Sequence, residues 1–209
     1  DQSSVGTNWG VGDIMYADLD GDGKISNGTN KLGDTGDYRI IGNSTPRFKY
    51  GITLDAAWKG FDFSIFMQGI GKRDLWLDGC YFWGANGQGN EWQSTGFAEH
   101  WDFFRPEGDP LGANLNSYYP RVNFSGDRNT KVQTRYLQNG AYLRLKNVQL
   151  GYTLPRVWTE KAGISSVRVY VSGDNLATIT SLSKIFDPEA TGSLAGTGSG
   201  KLYPLQRVI

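Results

Sequence analysis

The 209-residue chain has almost none of the residues on which catalytic or metal chemistry most often rests: one cysteine, Cys80, and one histidine, His100. A single cysteine excludes an internal disulfide framework and a cysteine-rich metal site. A single histidine leaves a histidine-based zinc site short of ligands, since no carboxylates stand at a recognisable spacing from it. Cys80 and His100 are the only pair from which a thiol–imidazole dyad could be drawn. Charge is balanced, with 21 Lys and Arg against 21 Asp and Glu. There is thus no basic footprint for nucleic acid and no acidic tail. No apolar run approaches the length of a membrane helix, and no signal peptide opens the chain. Transmembrane β-strands escape both tests, because they alternate and each is a weak signal.

What is present in quantity is glycine and aromatic residues: 29 Gly, 7 Trp, 11 Tyr and 10 Phe. That composition belongs to turns and strands rather than helices. The first 46 residues, rich in Gly, Asp, Asn and Ser, read as loop. Within them ADLDGDGKIS, Ala17 to Ser26, sets Asp18, Asp20 and Asp22 at positions one, three and five of an EF-hand-like loop. Lys24 would offer its carbonyl at position seven, and Gly23 takes position six, where the sharp turn needs a residue without a Cβ. Position twelve is Thr29 instead of a bidentate glutamate, and the flanks are turn-formers. A regulatory EF-hand is therefore not expected. Two readings remain: a structural Ca²⁺ site completed by Asp34 or Asp37, and a polar Asx-turn without an ion.

From Arg47 the pattern becomes strict alternation. Phe48, Tyr50, Ile52, Leu54, Ala56 and Trp58 share one face, and Lys49, Gly51, Thr53, Asp55 and Ala57 the other. The run is long for a globular strand and right for a tilted membrane-spanning one, with aromatics near both ends. Lys59-Gly60 then leads to Phe61, Phe63, Ile65 and Met67 alternating with Asp62, Ser64, Phe66 and Gln68, an antiparallel hairpin over 47–70. Residues 71–135 show little period, the length of loop expected outside a barrel and not inside a compact domain. From 136 to 209 strands resume. Leu143 and Leu145 are out of phase with Val148, Leu150 and Tyr152, which predicts a bulge near Lys146-Asn147. Val167, Val169 and Val171 mark another strand, and YPLQRVI begins a fifth that is incomplete. FDPE, Phe186 to Glu189, reads as a turn fixed by Pro188 rather than an acidic site.

Four or five strands with one apolar face can be completed as a β-sandwich or as a barrel wall facing lipid. Strand length, aromatic ends and the contrast of long loops with short turns favour an all-β, antiparallel transmembrane barrel wall. Its lumen-facing residues would be Lys49, Asp55, Asp62, Gln68, Arg144 and Arg168. No nucleophile, base and orienting group fall into a readable arrangement, so an enzyme is not expected.

The strings IGNSTPRFKYGITLDAAWKGFDFSIFMQGIGKRD, EHWDFF, YLRLKNVQLGYTLP, VRVYVSGDNL, FDPE and YPLQR, in that order, closely resemble the C-terminal part of SusC/RagA-family transporters. The resemblance covers about Gly12 to Arg207, and the Asp-rich loop falls where that family carries a similar segment. It implies the last four to five strands of a large TonB-dependent barrel in the bacterial outer membrane. The complete transporter would import glycans, or in some members peptides, beneath a SusD-like surface lipoprotein, with energy from TonB reached through regions absent from this chain. The chain has no plug, and it stops at Ile209 where family members continue into a last strand. It therefore looks like a fragment that cannot transport alone.

Trp83, Trp92 and Trp101 in the long loop are the candidate platforms for an oligosaccharide or peptide substrate, or contacts for the lid. Packing of these rings into a core for the loop itself is the competing expectation. The alternative to a transporter is a soluble, calcium-braced all-β carbohydrate-binding module. In a barrel, Tyr50, Ile52, Leu54, Phe63 and Ile65 meet lipid; in a sandwich they meet another sheet.

Overall fold

The computed structural model describes residues 1–29, 31–89, 96–125, 128–191 and 203–209. Their strands are β1 (Arg47–Trp58), β2 (Phe61–Lys72), β3 (Asp74–Leu75), β4 (Gln138–Asn139), β5 (Tyr142–Thr153) and β6 (Arg168–Thr180). Two short helices, α1 (Gly79–Trp83) and α2 (Arg156–Thr159), are also present. The described residues divide into two compact units. A sheet unit holds Asn43–Leu75 and the described residues from Gln138 onward, and a loop unit holds Asp1–Gly42 and Trp76–Leu137.

The sheet unit is an antiparallel four-stranded sheet in the order β1-β2-β5-β6. The β1–β2 hairpin closes through Lys59 and Gly60 at φ 48° and 90°. Both central residues are left-handed, as in a type I′ turn, whose twist matches that of the flanking strands. Register shifts place the bulge at Lys146, between Leu145 and Asn147. The extra residue restores the phase, so that Leu145 stands opposite Met67 and Val148 opposite Ile65. Both halves of β5 then present their apolar side chains to one face. Following the register across the four strands, that face carries Ile52 and Leu54, Phe63 and Ile65, Val148 and Leu150, Val169 and Val171. The opposite face carries Thr53, Ser64, Gln149 and Ser172, with Asp62, Gln68, Arg144 and Arg168.

The apolar face is exposed: Leu54 by 54%, Val171 by 57%, Ile179 by 70%. Aromatic residues stand near both ends of it. Phe48 and Tyr50 lie at one end, and Trp58 and the Phe61–Tyr152 ring pair, 4.5 Å between centroids, at the other. On β6, Asp174 and Val208 exchange backbone hydrogen bonds of 2.7 and 3.1 Å, so YPLQRVI begins to pair with that edge. LPRVWTEKAGI, between β5 and β6, forms α2 and a 3₁₀ turn at Glu160–Ala162.

The loop unit has a core of its own. Leu77 and Tyr136 are fully buried, and Phe82 and Trp83 nearly so, at 1% and 2% exposure. Edge-to-face contacts join Phe82 to Trp83, Tyr119 and Tyr136 at 5.2, 5.8 and 6.4 Å between centroids. Burial pushes the Tyr136 hydroxyl up to about 12, and it donates to the Tyr118 carbonyl. Asp13 fastens the N-terminal segment to residues 121–129. Its carboxylate accepts from Arg121 Nε and Nη2 at 2.8 and 2.7 Å and from Asn129 Nδ2 at 2.8 Å. Gly10 N–H adds a bond at 2.9 Å, and Arg128 Nη1 stands 3.8 Å away. Burial works to raise this carboxyl; the hydrogen bonds from Arg121, Asn129 and Gly10 outweigh it and hold it below the usual carboxylate range.

Candidate functional site

Asp18, Asp20 and Asp22 converge. Each offers a carboxylate oxygen, and the three lie within 4.8 Å of one another on an exposed loop. The turn that gathers them is made by their own side chains. Asp18 accepts from Gly21 and Gly23 N–H at 2.6 and 2.8 Å, Asp20 from Asp22 N–H at 3.2 Å, and Asp22 from Lys24 N–H at 2.7 Å. Asp34 and Asp37, expected as completing ligands, are outside the cluster. Asp37 instead accepts from Leu19 and Ser26 N–H, and Asp34 from the Thr29 N–H and hydroxyl. Those bonds lower both carboxyls from their ordinary value and brace the loop from its flank. A hard cation takes six to eight oxygens. Three carboxylates fit such an ion as an open cluster that carbonyls and water would have to complete.

The three tryptophans separate. Trp83 is 2% exposed and donates Nε1–H to the Leu77 carbonyl at 3.1 Å; it is core, not platform. The loop must bury apolar surface to hold its shape, and the Trp83 ring is part of what it buries. Trp92 lies outside the described residues. Trp101 is 62% exposed, stacked on Phe103 at 6.4 Å and 29°. Arg105 lies over the other ring at 4.8 Å and donates to the Gly112 and Trp101 carbonyls at 2.7 and 2.9 Å. The exposed Trp101 ring is therefore held by its neighbours. His100 commits both ring nitrogens to backbone: Nδ1 accepts from Phe97 N–H and Nε2 donates to the Phe82 carbonyl, each at 3.1 Å. Those partners fix the neutral Nε2–H tautomer and leave no lone pair for a Cys80 dyad.

On the polar face three of the predicted lumen residues, Asp62, Arg144 and Arg168, are paired. Arg168 on β6 forms a double hydrogen bond with Asp62 on β2, passing over Gly151 of β5. A Cβ at residue 151 would meet the Asp62 and Arg168 side chains at 2.5 and 2.6 Å, so the crossing needs glycine there. Arg144 donates to Asp187 at 2.7 Å; its Nη1 lies 3.1 Å from Glu189, off the hydrogen-bonding line. Lys146 completes the set on Glu189 at 3.0 Å. FDPE is thus a turn that also supplies two working carboxylates, which corrects the expectation of a turn alone. Asp187 reaches further, accepting from the Leu205 and Glu189 N–H groups at 3.0 and 2.9 Å. The sequence signal was the cation pair of LRLK, Arg144 and Lys146, which needed two acids from elsewhere in the chain.

No family model matches the chain. TonB-dependent receptor P3 of Formosa agariphila is 35% identical over 180 residues, 86% of this chain and 16% of that protein. TonB-dependent receptor P26 of the same organism is 29% identical, across 95% of this chain and 19% of its own length. Among solved structures, the RagAB peptide importer in its open-open state matches 74% of this chain and 16% of its own, at 29% identity and a TM-score of 0.55. A structure of the RagAB peptide transporter matches 69% and 15%, at 27% identity and a TM-score of 0.53. The chain belongs to the TonB-dependent receptors of the SusC/RagA type. It spans 16% and 19% of the length of the two curated relatives. The two-faced sheet and the self-packed loop unit are therefore features of a receptor segment.

Proposed function

We propose that this segment is part of the wall and loops of an outer-membrane TonB-dependent transporter. The transporter imports glycans or peptides together with a SusD-like lipoprotein. The observation that carries this reading is the unbroken apolar face of the four-stranded sheet, with a polar face behind it. A soluble protein rarely exposes a contiguous apolar patch of that extent. Lipid makes it favourable. Twelve residues make about 40 Å of strand, which at a tilt of about 45° rises about 28 Å, near the thickness of a bilayer's hydrocarbon. The aromatic residues at its two ends suit the two interfaces. The polar face faces the lumen, where Asp62–Arg168 and Arg144–Asp187 tie neighbouring elements. No chemistry is done on the cargo. Trp101 serves as the exposed contact for cargo or lid, and Asp18, Asp20, Asp22 and the Lys24 carbonyl hold a structural Ca²⁺.

The test is site-directed spin labelling of the full receptor in bilayers, at Ile52, Leu54 and Val171 against Thr53, Gln149 and Ser172. In a barrel wall the first set collides with oxygen dissolved in lipid and the second with a water-soluble nickel chelate. In the soluble module the first set is packed against a second sheet and meets neither reagent. That outcome refutes the transporter reading.

A further inference from the structure

The connection that follows β6 does not stand clear of the sheet. β2 ends at Lys72, β5 starts at Tyr142 and β6 ends at Thr180, so all three meet at the end of the sheet that carries the long 71–135 connection. From there residues 181–191 turn back over the polar face. Asp187 is bound to Arg144 at 2.7 Å and Glu189 to Lys146 at 3.0 Å. Lys146 lies four residues along β5 from Tyr142, about 13 Å of strand. The segment is packed as well as paired: Leu182, Phe186 and Thr191 are 4%, 5% and 3% exposed. On the sheet, Tyr142 and Arg144 at the start of β5 are buried, whereas every residue of β1 is exposed.

Charge fixes the segment in place. Arg144 Nε donates to Thr178 Oγ1 of β6 at 2.9 Å, which aims the guanidinium at Asp187. The side chains of that pair are 4% and 7% exposed, so salt screens it little. Glu189 stands 3.1 Å from Arg144 and 3.0 Å from Lys146; two acids meet two bases. Within the segment the Asp187 carboxylate accepts from the Glu189 N–H, and its carbonyl from the Thr191 N–H, each at 2.9 Å. Those bonds close the turn around Pro188. The second carboxylate oxygen holds the Leu205 N–H at 3.0 Å, which ties the chain down again further on. Between this segment and β1 a cavity of about 670 Å³ remains, lined by Lys49, Gly51, Phe66, Gln68, Tyr142 and Glu189.

A layer packed on a sheet stands about 10 Å from it, so this segment takes about that much from the width of any passage bounded by the polar face. Buried charge pairs and packed apolar side chains make it a fixed obstacle rather than a flap. We infer that residues 181–191 form a strap inside the lumen, latched by Arg144 and Lys146, that sets the largest cargo admitted along this wall. The inference rests on the transporter reading above and deepens it: it assigns size selection to the strap, whatever the chemistry of the cargo. Asp187 and Glu189 are the latch and not contacts for cargo. The cavity beside Glu189 is the room that the strap leaves.

The experiment uses the full receptor in bilayers, with Cys80→Ser and a reporter thiol at Thr53→Cys. Thr53 lies on the polar face, level with Phe66 and Asn147, just past Lys146 along the wall. Two reagents are added on the extracellular side: N-ethylmaleimide, and a maleimide carrying a long polyethylene glycol chain. Their labelling rates at the reporter are read by mass spectrometry. With the strap in place the small reagent reacts and the large one is held back. Arg144→Met with Lys146→Met removes the latch and leaves Asp187 and Glu189 to seek water. The large reagent then reacts about tenfold faster while the small one keeps its rate. Lys146→Met with Glu189→Gln spares the buried Arg144–Asp187 pair, keeps the receptor folded and gives a smaller gain in the same direction. A large-reagent rate unmoved by both variants overturns the inference. So does equal acceleration of both reagents, which means a loosened wall and not a wider passage. Spin-label accessibility at Ile52 is read on the same variants. A lipid-facing Ile52 with no size effect sinks the strap alone, and a packed Ile52 sinks the transporter reading with it.

Discussion

Asp13→Ala is the substitution whose cost follows most directly from geometry. It removes the acceptor of a bidentate guanidinium contact, an amide bond from Asn129 and a backbone bond from Gly10. Breaking a buried ion pair from one side costs about 3–5 kcal/mol, because the remaining charge is left uncompensated. Here the Asp13 side chain is 2% exposed but that of Arg121 is 34% exposed, so water recovers part of the loss. We therefore expect about 2–3 kcal/mol, lost locally. The assay is hydrogen exchange on the full receptor, following peptides that cover Gly6–Tyr16 and Tyr119–Ser125. Their exchange should accelerate about 30- to 150-fold, with β1, β2 and β5 unchanged. The double variant with Arg121→Ala should cost less than the sum of the singles, since the two residues share one interaction. The sign with pH is fixed as well. The folded carboxyl is lowered, so its contribution is complete above the unfolded value of about 3.9 and fades as pH falls through the folded one. Protection should hold from pH 8 to 5 and drop below about 4. Acceleration spread evenly over the strands, or protection already lost between pH 7 and 5, would refute the reasoning.

Ca²⁺ should slow proteolysis of the Ala17–Ser26 loop, and Asp20→Asn with Asp22→Asn should remove the effect; a loop indifferent to Ca²⁺ and to chelator makes it an Asx-turn only. Trp83→Ala should destabilise the loop unit by about 3–5 kcal/mol through the cavity it leaves. Trp101→Ala should leave thermal stability within about 0.5 kcal/mol while weakening cargo or lid binding, and the reverse pattern would mean that the exposures are misassigned.

The strands were legible because a half-buried or lipid-facing strand writes its period into the chain. The run Tyr50-Ile52-Leu54, the Lys59-Gly60 turn and the phase break at Lys146 each have a local cause. The acidic loop is equally local: three aspartates two residues apart make their own turn, while the bonds by which Asp34 and Asp37 brace it have no such local pattern. What the sequence by itself determined is therefore an antiparallel two-faced sheet, its hairpin, its bulge and a candidate cation loop. Tertiary structure alone decided which of the loop's tryptophans is core and which is surface. It also decided that Asp13 meets Arg121 and that Asp187 meets Arg144. Each depends on chain closure over tens to more than a hundred residues, and pairing at that distance leaves no periodic trace from which the partner could be read.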